Sequence, residues 1–118
     1  MEEVTIRAFE EAGVDVSEAM HRFLNNEDLF VKFMTKFKED TNFEMLKNYV
    51  DNGNVEDAFK AAHSLKGVVS NLAFKDFLEV LVPVVESLRA GTLEGVPEGL
   101  ARVQIAYDKV VSAIDTLG

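Results

Sequence analysis

Residues 55–72 read VEDAFKAAHSLKGVVSNL, and apolar side chains recur in them every three or four positions. This spacing marks one face of an α-helix, because a helix turns by about 100° per residue. The preceding turn, Asp51-Asn52-Gly53-Asn54, offers Gly53 as the stop of an earlier helix and Asn54 as an N-cap. We therefore predict a long amphipathic helix here. Its apolar face comprises Val55, Ala58, Ala62, Leu65, Val69 and Leu72.

Three further stripes repeat the helical spacing on either side of this stretch. They run over 29–37, 74–88 and 100–117, and a shorter helix at about 43–50 separates the first stripe from residues 55–72. Pro83 should kink the third helix, and Pro97 can open the last one. The first stripe comprises Leu29, Phe30, Phe33, Met34 and Phe37, with Asn25 or Asn26 as its cap.

Such spacing with short connections suits helices packed nearly antiparallel. The sequence therefore predicts an all-α fold, an antiparallel four-helix bundle with one or two short N-terminal helices. We expect a single domain over 1–118, with the bundle at 26–117 and a helical cap at 1–24. The N-terminal segment should break at Gly13, with Asp15 or Ser17 as an N-cap, and should cover one end of the bundle.

Composition narrows the classes of function. The 118 residues include no cysteine, which excludes disulfides, thiolate metal sites and cysteine nucleophiles. A net charge of −9 argues against nucleic acid and against an anionic membrane surface as partners. There is no apolar run of about 18 to 20 residues that could span a bilayer. The acidic start, Met1-Glu2-Glu3, is unlike a signal peptide. We expect a cytoplasmic, free-standing monomer.

His63 stands apart from the apolar face of its helix. It lies roughly 130° from the centre of that face, so we expect its imidazole to face solvent. Lys66 follows one turn later and carries a positive charge that can hold phosphoryl oxygens. Gly67 costs a helix interior about 1 kcal/mol relative to alanine. It leaves room either for an approaching surface beside His63 or for a close contact between helices.

Phe59 also lies on the His63 face, where a large apolar side chain suggests contact with a partner. Packing against the first helix or the N-terminal segment is an equal alternative. Lys60 and Ser70 share this face and complete the predicted partner-binding residues.

An exposed imidazole is a nucleophile suited to accepting a phosphoryl group near neutral pH. No Walker A or kinase glycine loop is present, so we expect neither ATP binding nor self-phosphorylation, and no enzyme activity of its own. His21 and His63 lie too far apart in sequence for a histidine-based metal motif, and there is no EF-hand spacing. His21 has no basic or glycine neighbour at helical spacing, and we interpret it as a surface or packing residue.

The stretch from Ala62 to Leu72 resembles the signature of histidine-containing phosphotransfer (HPt) domains of two-component phosphorelays. The likeness extends to Gly13-Val14-Asp15 with Arg22-Phe23, to residues 26–37, and to Glu86, where that family often has a glutamate. The resemblance implies a four-helix bundle and His63 as the phosphoryl acceptor through Nε2. It also implies phosphoryl stabilisation by Lys66 and access for the partner at Gly67. Ser70 and Ala73 depart from the family pattern, which often has glycine at these two positions.

The resemblance further implies the partners. These are receiver domains of response regulators, with a hybrid sensor kinase as a further candidate. The Mg²⁺ is expected on the receiver rather than on this chain. We expect this chain to need no cofactor. We predict a phosphocarrier that relays a phosphoryl group between receiver aspartates through His63. One alternative is a helical adaptor that binds a receiver or kinase domain without being phosphorylated. Another is a structural bundle unrelated to signalling.

Overall fold

The computed structural model describes residues 1–117, and α-helices make up most of this range. No strand occurs between Met1 and Leu117, where a single backbone bridge joins Val14 and Phe74. The predicted all-α class is therefore confirmed. The helices are α1 (Glu3–Glu11), α2 (Val16–Arg22), α3 (Glu27–Phe37), α4 (Asn42–Asp51), α5 (Val55–Asn71), α6 (Lys75–Arg89) and α7 (Val96–Asp115).

The helix starts agree with the local signals in the sequence. Asp15, Asn26 and Asn54 each cap a helix, and each side chain accepts a hydrogen bond from the backbone N–H three residues later. These bonds satisfy N–H groups that have no partner within the helix. Pro97 lies in the first turn of α7, as predicted. Pro83 lies on the exposed side of α6, which continues through it to Arg89; the kink there stays a prediction.

Helices α4 to α7 pack against one another in chain order, and α4 also contacts α7. Helix α1 packs on α7 and α2, and α2 contacts α3. The rings of Phe37, at the end of α3, and Phe43, at the start of α4, both lie within 6 Å of Tyr107 on α7 (5.8 and 5.1 Å between centroids). The connection between α3 and α4 therefore runs alongside α7. Buried apolar residues from Phe9 to Ile114 form one core cluster.

Burial agrees with the predicted stripes except at Phe33. The apolar face of α5 is buried from Ala58 to Leu72, and only Val55 at its start is partly exposed. Phe33 is 38% exposed although Phe30, Met34 and Phe37 on the same helix are buried. Its ring stacks in parallel on Phe23, with 5.1 Å between centroids. Phe33 therefore covers Phe23 at the surface instead of entering the core.

The segment between α1 and α2 is tied to the turn at the end of α5. The backbone N–H of Asp15 donates to the carbonyl of Ala73, and the N–H of Asp76 donates to the carbonyl of Gly13. Gly13 has φ +80°, and a Cβ there would lie 2.2 Å from Cγ of Asp76, so only glycine fits. Ala73 itself adopts φ +59°, the left-handed conformation in which helices commonly end on glycine. The N-terminal segment thereby fixes the C-terminal end of the His63 helix.

Candidate functional site: a solvent-facing histidine on helix α5

Helix α5 presents His63 to solvent. Its apolar face packs against α4 and α6, and Ala62 and Leu65, which flank His63 closely in sequence, are fully buried. His63 itself is exposed, and neither ring nitrogen forms a hydrogen bond with another residue of 1–117. The face predicted for the imidazole is confirmed. Both nitrogens are therefore open to a reaction partner.

Gly67 lies in open space beside this histidine. It is exposed, and a Cβ built on it would meet no atom within 4 Å. Packing within residues 1–117 therefore does not require glycine here, which rules out the close helix–helix contact. The helix carries the unfavourable glycine although its own packing has no need of it.

The two lysines near His63 differ in their partners. Lys60 lies 3.8 Å from Glu56 and 3.9 Å from Asp57, so two exposed carboxylates offset its charge. Lys66 is partly buried and forms no ion pair with any residue of 1–117. The charge of Lys66 is therefore the more available of the two for an anion held at the imidazole.

Phe59 bridges His63 and helix α6. Its ring stacks on the imidazole, with 5.8 Å between centroids and 28° between planes. The guanidinium of Arg89, at the end of α6, lies 5.0 Å from the centroid of the same ring. Glu86 pairs with Nε of Arg89 at 3.5 Å. Phe59 is only partly exposed, so the ring is largely occupied by contacts within the chain.

No sequence pattern indicates that Arg89 belongs to this site. It lies 26 positions after His63 on a different helix, in a last turn where a basic residue commonly serves the helix dipole. Only the packing of α6 on α5 brings it over Phe59. Glu86 is exposed and reaches the site through Arg89.

A second cluster supports the C-terminal end of α5 at Ser70. The side chain of Arg22 donates a hydrogen bond to the Ser70 carbonyl and pairs with Glu18 at 2.7 Å. Lys75 pairs with the other oxygen of Glu18, also at 2.7 Å. Hydrogen bonding from Lys75, and then from Arg22, lowers the pKa of Glu18 against an opposing effect of desolvation. Ser70 therefore contributes its backbone carbonyl to this cluster.

An open groove of about 500 Å³ borders this end of α5. Val68 and Leu72 line one side, and the stacked Phe23 and Phe33 line another. Lys36, Glu39 and Asp40 contribute polar side chains to the lining. The sequence does not predict this groove, because the apolar spacing of α3 places Phe33 in the core. Nearby in sequence, Leu24 is 84% exposed and adopts φ +57°.

Residues 1–117 contain no group of three or more histidine and acidic side chains placed to hold a metal ion. His21 is exposed in the last turn of α2 and is absent from the stack around His63. None of the helices in this range has the length and apolar character needed to cross a bilayer.

A comparison of the chain with known family models, with curated proteins and with solved structures finds no match.

Proposed function

We propose that the chain is a histidine phosphotransfer protein that relays a phosphoryl group between aspartates of receiver domains through His63. The observation that carries this proposal is the exposed imidazole of His63 on α5. Gly67 leaves bare backbone beside it, and Lys66, one turn after His63, pairs with no acidic residue of 1–117. A nucleophile, a cation and a flat approach are what the accepting side of a phosphoryl transfer needs.

In the proposed reaction, a lone pair on Nε2 of His63 attacks the phosphorus of an aspartyl phosphate on the receiver. The N–P bond forms while the P–O bond to the aspartate breaks, and the carboxylate leaves with the electron pair. Lys66 offsets the charge on the phosphoryl oxygens. The Mg²⁺ is supplied by the receiver, and the reverse step passes the group to a second receiver aspartate.

We also propose that the helices form the four-helix bundle of the HPt family, with α3 and α4 together as one member and α5, α6 and α7 as the others. The contact of α4 with both α5 and α7 supports such a closed arrangement. In this arrangement the receiver would approach α5 from outside the bundle. It would cover Gly67 and reach towards the groove lined by Val68 and Phe33.

The test is incubation with a receiver domain carrying a radiolabelled aspartyl phosphate. His21→Gln provides a matched control, because it removes the other exposed histidine and leaves α5 untouched. We expect labelling of wild type and His21→Gln, no labelling of His63→Gln, and a product that is acid-labile and alkali-stable. Persistent labelling of His63→Gln would contradict the proposal. If receiver binding survives in His63→Ala, and no phosphohistidine is detected on the wild-type protein, the results would support the adaptor instead.

A further inference from the structure

Three planar groups from two helices meet at the Phe59 ring. The guanidinium of Arg89 lies over this ring, and the imidazole of His63 stacks on it at a small interplanar angle. Phe59 is partly buried and packs against the core, whereas His63 is exposed. The anchored member of the three is therefore the phenyl ring.

The orientation of an exposed imidazole is otherwise weakly determined. Rotation about the bond to the ring is broad and roughly two-fold, so a free histidine side chain can present either nitrogen outward. No hydrogen bond within residues 1–117 selects between them at His63. The stack with Phe59 restricts the plane of the imidazole, because the two rings lie at 28° to each other; a 180° turn about the same bond keeps that plane.

We propose that Phe59 is a positioning residue that holds the plane of the His63 imidazole for attack on the incoming phosphorus, and that Arg89 holds Phe59 in place. Arg89 acts through its face-on contact with the phenyl ring, and Glu86 restrains the guanidinium by pairing with Nε. The biological use of this orientation rests on the proposed phosphotransfer function. The orientation itself is a property of the chain alone.

A small phosphoryl donor tests the orientation without any receiver. With potassium phosphoramidate, an imidazole nitrogen attacks phosphorus, the P–N bond of the donor breaks, and ammonia departs after taking up a proton. Phosphorus NMR follows the formation of phosphohistidine. The measurements use the full chain with His21→Gln, so that only His63 reacts. The rate and the chemical shifts of the His63 imidazole protons in this parent protein are the reference.

Phe59→Leu keeps an apolar side chain of similar size but removes the stacked ring. We expect a rate about 2- to 10-fold lower than in the parent protein, from the usual strength of aromatic pairs. The imidazole protons should also lose the ring-current shift that Phe59 imposes. Arg89→Ala should change both readouts in the same direction by a smaller amount, and it serves as the test variant if Phe59→Leu does not fold. Phe59→Tyr keeps the ring and should match the parent protein in both readouts.

Two matched controls separate positioning from general effects of substitution. Ile105→Ala removes an exposed apolar side chain on α7, and Arg102→Ala removes an exposed cation on the same helix. Both should leave the rate and the imidazole shifts unchanged. A rate and imidazole shifts equal to those of the parent protein in Phe59→Leu would overturn the proposal, as would a rate in Phe59→Tyr as low as that in Phe59→Leu. Failure of receivers to label His63, with these results intact, would overturn only the phosphotransfer function.

Discussion

Replacing Gly67 by alanine should make the protein more stable and its phosphotransfer slower. Gly67 is helical, lies outside the left-handed region, and faces open space in which a Cβ touches no atom within 4 Å. The substitution adds no steric conflict to the folded chain. It also removes the extra backbone freedom that glycine gives the unfolded chain, so the free energy of unfolding should rise.

The gain in the free energy of unfolding depends on the open space around Gly67, where a Cβ meets no other atom. A helix interior favours alanine over glycine by about 1 kcal/mol, and at Gly67 no clash subtracts from that value. For a domain of this length, about 1 kcal/mol corresponds to a rise of roughly 4 °C in melting temperature. Thermal unfolding followed by circular dichroism, with a urea titration beside it, measures the change.

Gly53 provides a matched control, because a Cβ there also meets nothing within 4 Å. It differs in its backbone, which has φ +70°. Alanine is strained in that conformation by about 1 kcal/mol, so Gly53→Ala should lower the melting temperature. Opposite signs at these two open positions would show that backbone conformation decides the outcome. A loss of stability in Gly67→Ala would refute the reasoning.

The same methyl group should hinder a docking receiver. We expect slower phosphoryl transfer from a receiver to Gly67→Ala, and a stronger block with the longer side chain of Gly67→Gln. Reaction of His63 with phosphoramidate should stay near the wild-type rate, because a small donor needs no flat surface. Wild-type transfer by Gly67→Gln would show that access at this position is irrelevant.

Three further predictions concern packing, charge and pH. Gly99→Ala should destabilise the fold by about 1–3 kcal/mol in urea unfolding, because its Cβ would lie 2.5 Å from Cγ2 of Val84. Adding Val84→Ala to this variant should relieve the loss, and an unchanged urea midpoint in Gly99→Ala would contradict the contact. Lys66→Ala should shorten the lifetime of the phosphohistidine without changing the melting temperature, and an unaltered lifetime would remove Lys66 from the site. The lowered pKa of Glu18 means that its pairing with Lys75 stabilises the fold above the ordinary glutamate pKa and is lost as pH falls through the lowered value. The free energy of unfolding of wild type should therefore exceed that of Glu18→Gln at neutral pH, and the difference should vanish in acid. A difference that stays constant from neutral to acidic pH would argue against the pairing.

Local sequence signals were enough to place the helices. The caps at Asp15, Asn26 and Asn54 act on N–H groups three residues away, and the apolar spacing of α5 depends only on helical geometry. The exposure of His63 is predicted by the same count, because the opposite face of α5 is apolar. These features depend on neighbours within one or two turns, and such neighbours can be identified from the printed sequence.

The relations between helices could not be obtained in this way. Phe33 repeats the apolar spacing of α3 yet covers Phe23 at the surface, because the position of the chain after α2 decides what that face meets. The approach of Gly99 to Val84 likewise depends on how α7 crosses α6. Periodicity identifies an apolar face, but it does not specify which helix will cover it or how closely.

The site shows the same division. By itself the sequence determined a helix that carries an exposed histidine, a lysine one turn later and a glycine beside it. All three positions follow from the geometry of a single helix. Only the tertiary structure decided that Phe59 contacts both His63 and Arg89, since Arg89 reaches the ring from α6. It also showed that Gly67 faces open space. Both depend on the packing of α6 against α5, which arises from burial of apolar surface between residues distant in sequence.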